Sequence, residues 1–223
     1  MTATDSAARV STARLVLIPG VITLAVTILR LVGELQHWPT VLFNPAPGGG
    51  GAIVGISWLP IIFGPYFALK LAGAGEGPGS VGKAIGMTLL GLLVLVGGGF
   101  LVATSQFQSM GKAAGGFLLM AAAAVIPLSG WPSLTKTLLA YAYAARFPVA
   151  ILMIFALRGN WGTHYDAPPP NFPEMGFLPK YFLIAFLPQL VLWIAFTVIV
   201  GSLFGAVTVA IAHRGKSAPQ TAA

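Results

Sequence analysis

Long apolar runs separated by short polar or glycine- and proline-rich stretches dominate this sequence. Six runs can be delimited, at about 15–32, 52–71, 84–104, 113–128, 137–157 and 188–211. A helix needs about 20 apolar residues to cross a bilayer. The runs lack the alternation of polar and apolar residues that indicates a β-barrel, and helices satisfy their own backbone in lipid. The pattern predicts an all-α integral membrane protein, a polytopic bundle of about six transmembrane helices in a single domain, 1–223, with short polar tails at 1–14 and 213–223.

Prolines interrupt several of these runs and predict kinked helices. The last run raises a particular question, because apolar residues extend from 181 to 212. As one helix it would measure about 48 Å, against a hydrocarbon core of about 30 Å. Pro188 offers a natural break, after which 188–211 would span. A single, strongly tilted helix is the alternative.

Composition narrows the class of protein further. Only 8% of the residues are charged, whereas a soluble domain carries roughly 25%, so a soluble fold is excluded. The absence of cysteine excludes disulfides and thiolate ligands. The net charge of +7 comes from single, dispersed Lys and Arg residues rather than from a basic stripe, so nucleic-acid binding is not expected. The expected surroundings are a lipid bilayer.

The distribution of Lys and Arg predicts the orientation in the membrane, since cytoplasmic loops are enriched in both. If the N-terminus is inside, the inner side has more basic residues than the outer side. We therefore expect both termini in the cytoplasm, and a bacterial inner membrane is compatible with the composition. The inner set is Arg9, Arg14, Lys70, Lys83, Lys136, Arg214 and Lys216, and the outer set is Lys112, Arg158 and Lys180.

Arg146 lies near the middle of the fifth run, where a cation costs roughly 2.5–3.5 kcal/mol on insertion scales. None of the five acidic residues falls within an apolar run, so no mid-membrane carboxylate is expected to pair with it. It can meet the Gln189 amide, backbone carbonyls near Pro148, a lipid phosphate or an anionic ligand. Alternatively, Tyr141, Tyr143 and Arg146 form an inner interfacial belt, with Arg146 reaching the headgroups.

The longest outer loop contains a dense mixture of chemically active side chains. Within Arg158–Met175, the residues Trp161, His164, Tyr165 and Asp166 lie close together, followed by a stiff run of prolines. This stretch is either a ligand-binding site or an ordered strap that joins two helices. As a site it would bind a ligand, or His164 and Asp166 would act as base and orienter in a membrane enzyme.

The outer histidines also allow a metal hypothesis. His37, His164 and Asp166 are expected on the same side, and two imidazoles with a carboxylate suit a divalent metal, or the two imidazoles a haem iron. The spacing matches no established metal motif. A second expected pair is Arg30 and Glu34, which lie four residues apart on one helix face.

The sequence contains more motifs for close helix packing than motifs for catalysis. Gly201 and Gly205 form a GxxxG pair that favours close helix contact, including contact between copies of the chain. The leading functional hypothesis is a non-enzymatic subunit or accessory factor whose outer loops bind a partner, a lipid or an apolar ligand. A small transporter or channel with a cavity near Arg146 is the alternative, and an enzyme acting on a lipid or quinone is the third. No particular cofactor is indicated.

Overall fold

The computed structural model of the protein describes residues 10–214, which form a helical bundle without any β-strand. The predicted all-α membrane fold is confirmed for these residues. Most of the predicted tails, 1–14 and 213–223, lies outside the described residues. Arg9 and Lys216 also lie outside them. The helices are α1 (Thr12–Leu35), α2 (Leu59–Gly73), α3 (Val81–Ser105), α4 (Met110–Ser129, whose last turn is a 3-10 helix), α5 (Pro132–Gly159) and α6 (Phe177–Ala212).

Within the described residues, five of these helices are long and apolar enough to cross a membrane, and α2 is shorter. The 15 residues of α2 rise about 22 Å, less than the roughly 30 Å of a hydrocarbon core. The run from 52 was expected to be helical, but the helix begins only at Leu59. Pro60 occupies the first turn of α2, where proline is favoured because its missing N–H would be unpaired there in any case. Hydropathy alone placed the start seven residues too early.

The helices run alternately between two ends of the bundle. At one end, here called the loop end, His164 N donates to Glu34 Oε2 at 2.9 Å, and the rings of Phe107 and Phe172 lie 5.3 Å apart. At the opposite end, Trp131 Nε1 donates to Glu76 O at 2.8 Å. The long connections 36–58 and 160–176 therefore lie together at the loop end. Short as it is, α2 connects the two ends.

Helix α6 packs against α2, α3 and α5 and occupies the centre of the bundle. Its contact with α2 is made by glycine on both sides, since a Cβ added to Gly64 would overlap the backbone of Gly201. A Cβ added to Gly205 would lie 2.9 Å from Gly64 O. The GxxxG pair Gly201 and Gly205 is thus buried within one chain. The expectation that this pair forms a contact between copies of the chain is therefore wrong.

The long helix α6 continues past Pro188 without a break. One π-helical segment, Phe182–Phe186, precedes the proline, and a second, Pro188–Leu192, begins at it. Proline cannot donate a backbone hydrogen bond and its ring clashes with the preceding turn, and the wider π geometry accommodates both effects. Of the two alternatives for 181–212, the structure therefore has one helix. The π segments change the direction in which the following side chains point.

Candidate functional site

A cavity of about 300 Å³ lies in the loop-end half of the bundle, among α1, α5, α6 and the loops that cover them. Its wall is largely apolar, with a small set of polar side chains. This combination is typical of a ligand site, although the volume is at the small end of the usual range of about 300–1,000 Å³. The polar or charged lining side chains are Thr27, Arg30, Ser57, Arg146, His164, Tyr165 and Gln189.

Arg146 is the most unusual of these side chains. It lies midway along α5 and is only 4% exposed. Its Nη1 lies 3.4 Å from Gln189 Oε1, and its Cζ lies 4.7 Å from the centre of the Trp193 ring. Its Nε has no hydrogen-bond partner among residues 10–214. Arg146 and Gln189, two sequence-predicted site residues, are therefore brought together at the cavity wall.

No carboxylate in the described part of the chain forms a salt bridge with Arg146. Glu34 pairs with Arg30 and His164 instead, and Glu76 lies at the opposite end. The proposed interfacial belt does not form either, because Arg146 is buried and Tyr141 is only 1% exposed. Tyr141 donates to, or accepts from, Thr23 Oγ1 at 2.8 Å inside the bundle. The cation is thus internal and faces the cavity.

Glu34, at the end of α1, connects that helix to the long loop 160–176. Its Oε1 accepts from Arg30 Nε at 2.7 Å and from His164 Nδ1 at 2.6 Å, and its Oε2 accepts from His164 N. The expected Arg30–Glu34 pair is confirmed. Arg30 Nη2 also donates to Asn44 O and Gly49 O. Glu34 therefore holds the loop 160–176 against α1, and its partner Arg30 holds the loop 36–58.

A tight turn in the loop presents His164 and Tyr165 to the cavity. Asp166 Oδ1 accepts from Thr163 N at 2.8 Å and from Thr163 Oγ1 at 2.6 Å, and its Oδ2 accepts from Gly162 N at 3.0 Å. These bonds close the turn and leave Asp166 away from the cavity wall. Trp161 is partly exposed and does not line the cavity either. Of the four loop residues expected in a site, His164 and Tyr165 lie in it.

Both cavity-facing loop residues are held in their neutral forms. Burial lowers the pKa of the His164 imidazole, and the charge on Arg30 acts in the same direction, against the opposing effect of Glu34. A neutral ring with Nδ1 protonated donates to Glu34. Burial likewise raises the pKa of the Tyr165 hydroxyl, which donates to Thr27 O at 3.3 Å. Neither residue adds charge to the cavity near neutral pH.

The proposed metal set of His37, His164 and Asp166 is not assembled. Residues 10–214 contain no group of three or more His, Cys, Asp or Glu side chains placed to hold a metal ion. The physical reason is that the expected ligands are used elsewhere, His164 Nδ1 by Glu34 and Asp166 by its own turn. His37 is exposed.

Several cavity residues were not singled out from the sequence, above all Trp193, Met153 and Thr27. Helical spacing contained part of the signal. Met153 is seven residues beyond Arg146, so the two lie on one helix face. The spacing from Gln189 to Trp193 is not a regular α-helical one, because the π-helical segment Pro188–Leu192 lies between them. Thr27 had no such signal, because its position depends on how α1 packs against α5.

Fold and cavity together define the class, a helical membrane bundle with a cavity that the buried Arg146 faces. No protein-family model, no curated protein and no solved structure matches this chain. Its function is therefore inferred from the chemistry of the cavity.

Proposed function

We propose that this protein is a non-enzymatic membrane protein that binds an anionic group of an amphiphilic ligand in the cavity, with Arg146 as the counter-charge. The proposal rests on a single observation. Arg146 is buried and faces a cavity, yet no carboxylate in residues 10–214 pairs with it. Buried charges without a counter-charge are expensive and mark functional sites in membrane proteins. A bound anion would offset that cost.

The charges around the cavity favour a single negative charge on the ligand. Glu34 neutralises Arg30, and His164 and Tyr165 are neutral, which leaves Arg146 as the excess positive charge. Gln189 and Tyr165 are further polar groups at the wall. A monoanion such as a carboxylate would accept charge-assisted hydrogen bonds from the guanidinium.

The apolar part of the wall favours a ligand with a hydrocarbon portion. Side chains of α5 and α6, including Val149, Met153 and Leu183, surround the polar groups. Such a wall stabilises apolar groups by about 25 cal/mol per Å² removed from water. A purely polar solute would not bury the apolar surface of this wall.

The candidate catalytic residues do not have the partners that the sequence suggested. His164 pairs with Glu34 rather than with Asp166, and Thr163 is held by Asp166. The base and orienter of the enzyme hypothesis are therefore not paired with each other. Transport is the second candidate. It is favoured by the π-helical segment Pro188–Leu192, which contributes to the cavity wall, because such segments are frequent at functional sites.

Arg146→Met tests the proposal in protein purified in a mild non-ionic detergent. Wild-type protein should bind a single-chain monoanion such as dodecanoate saturably, with a rise in melting temperature. Arg146→Met should bind at least tenfold more weakly, since a charged hydrogen bond contributes about 1.5–3 kcal/mol. Without ligand, this variant should melt at a higher temperature than the wild type, because a buried charge is removed.

Arg158→Met is the matched control, since Arg158 is an exposed arginine on the same helix. It should bind dodecanoate as the wild type does. Equal binding by wild type and Arg146→Met, or no saturable binding by the wild type, would contradict the proposal. Flux of the same anion in proteoliposomes, lost in Arg146→Met alone, would show that the bound ligand is also transported.

A further inference from the structure

A second concavity adjoins the cavity on the outside of the bundle. It has a volume of about 340 Å³ and lies between the start of α2 and the middle of α6. We call it the lateral groove. Its lining residues are Ser57, Trp58, Ile61, Leu192, Trp193 and Phe196.

The lateral groove is apolar and lies on the outer surface of the bundle. Trp58 is 42% exposed and Ile61 is 41% exposed, and the exposed apolar side chains of such a bundle contact acyl chains. The indole N–H of Trp58 donates to Ile53 O at 3.1 Å, so it needs no partner from the lipid. The groove therefore offers hydrocarbon contact and almost no polar contact.

The groove and the cavity are adjacent and share part of their walls. Ser57, Leu192 and Trp193 line both of them. Trp193 stands between the two, since its ring stacks against the Arg146 guanidinium inside the cavity and also lines the groove. A ligand that extends past Trp193 would have its polar end at Arg146 and its apolar end against the bilayer.

Access from the water side is covered by loops. Pro47 and Gly48 from one loop, Phe107 from a second, and Ala167 and Pro169 from a third all line the cavity at the loop end. Hydrogen bonds from Arg30 and His164 hold two of these loops in place. The lateral side has no comparable cover among the residues described.

On the basis of the proposed function, we propose that the ligand is a monoanionic amphiphile with one hydrocarbon chain that enters from the bilayer, with its head at Arg146 and its chain in the lateral groove. One chain fits the observations better than a partner helix, because a helix of about 10–12 Å diameter could not extend into the cavity. The charge of Arg146 favours an anionic end, and the apolar groove beside the cavity favours a hydrocarbon end.

Chain-length dependence of binding tests this proposal. Octanoate and hexadecanoate are titrated by calorimetry in one detergent, and the ratio of their affinities is compared between variants, which cancels partitioning into micelles. Ile61→Trp fills the groove and should lower the preference for hexadecanoate at least tenfold, since each buried methylene contributes about fourfold in affinity. Binding of octanoate should be unchanged.

Ile62→Trp is the matched control, because Ile62 is the next residue, is 53% exposed and does not line the groove. It should keep the wild-type preference. Arg146→Met should weaken both acids. If Ile61→Trp retains the wild-type preference while Arg146→Met loses binding, lateral binding is overturned and the proposed function stands. If Arg146→Met binds both acids as the wild type does, the proposed function itself fails.

A second readout locates the chain directly. A fatty acid brominated at mid-chain quenches the fluorescence of nearby tryptophans, and unbrominated acid should reverse the saturable part. We expect the saturable fraction of the quenching to be smaller in Trp58→Phe than in Trp161→Phe, because Trp58 lines the groove and Trp161 does not. Equal saturable quenching in these two variants would overturn the placement of the chain.

Discussion

At the scale of single residues, Glu34 determines which charge in the cavity is left without a partner. Its carboxylate accepts from Arg30 and twice from His164, all within 2.6–2.9 Å. Breaking such a buried pair by removing one member leaves an uncompensated charge, at a cost of about 3–5 kcal/mol. Because Glu34 neutralises Arg30, the positive charge of Arg146 remains available for a ligand.

His164 makes the attachment of the loop sensitive to pH. Burial lowers the pKa of His164 in the folded protein, so below about pH 6.5 the unfolded chain takes up a proton that the folded protein resists. Stability is therefore full above pH 6.5 and is lost as pH falls through the folded pKa. We expect a lower melting temperature at about pH 5.5 than at about pH 7.5. Each pH unit between the two pKa values corresponds to about 1.4 kcal/mol.

Two variants isolate this effect in thermal melts. His164→Gln keeps an N–H donor for Glu34 but does not titrate, so its melting temperature should change less with pH than that of the wild type. His37→Asn removes an exposed histidine at the same end, and Asn tolerates the positive φ of 53° there. It should behave as the wild type. An undiminished pH dependence in His164→Gln would assign the effect to another group.

At the scale of helices, α6 shows which parts of the site the sequence could predict. Hydropathy indicated a helix there, and the Gln189 amide was one of several partners that the sequence allowed for Arg146. The π geometry around Pro188 could not be predicted, because a proline permits either a break or a bulge and packing against α2 and α5 decides between them. The orientation of Trp193 follows from that geometry, so its contact with Arg146 was not foreseen.

The loop contacts of α1 show a second limit. The Arg30–Glu34 pair was predictable because residues four apart share a helix face. The bond from His164 to Glu34 joins residues 130 positions apart, and no local pattern encodes it. The metal hypothesis instead placed His37 near His164, since both were expected in outer loops. The sequence could predict which residues lie at the same end of the bundle. It could not predict which of those residues contact one another.

The contact between α2 and α6 gives an expectation at the same scale. Gly64→Ala should lower the melting temperature by several degrees, since its Cβ would overlap the Gly201 backbone and overpacking costs about 1–3 kcal/mol. Gly97→Ala in α3 is the matched control, because a Cβ there meets no atom within 4 Å. Helix propensity should leave its stability unchanged or slightly higher. Equal melting temperatures for the two variants would show that α2 and α6 can separate without loss of stability.

At the scale of the whole molecule, the bundle has two chemically different ends. The connections 36–58 and 160–176 cover the cavity at the loop end, and Lys70, Lys83 and Lys136 lie toward the opposite end. Since Lys and Arg are enriched on the cytoplasmic side, we infer that the loop end faces outward. The cavity then opens in the outer half of the bilayer, and a lateral ligand would come from the outer leaflet.

The orientation can be tested with single thiols, because the chain contains no cysteine. Val41→Cys and Glu174→Cys place a thiol at the loop end, and Gly79→Cys places one at the opposite end; all three positions are exposed. In intact bacterial cells, an impermeant maleimide should label the first two, and Gly79→Cys only after permeabilisation. Val41 precedes α2 and Gly79 follows it, and α2 has only 15 residues. Opposite labelling of these two positions therefore also establishes that this short helix crosses the membrane. Labelling of Val41→Cys and Gly79→Cys from the same side would mean that α2 does not cross, whereas labelling of Gly79→Cys alone would reverse the orientation and place the ligand in the inner leaflet.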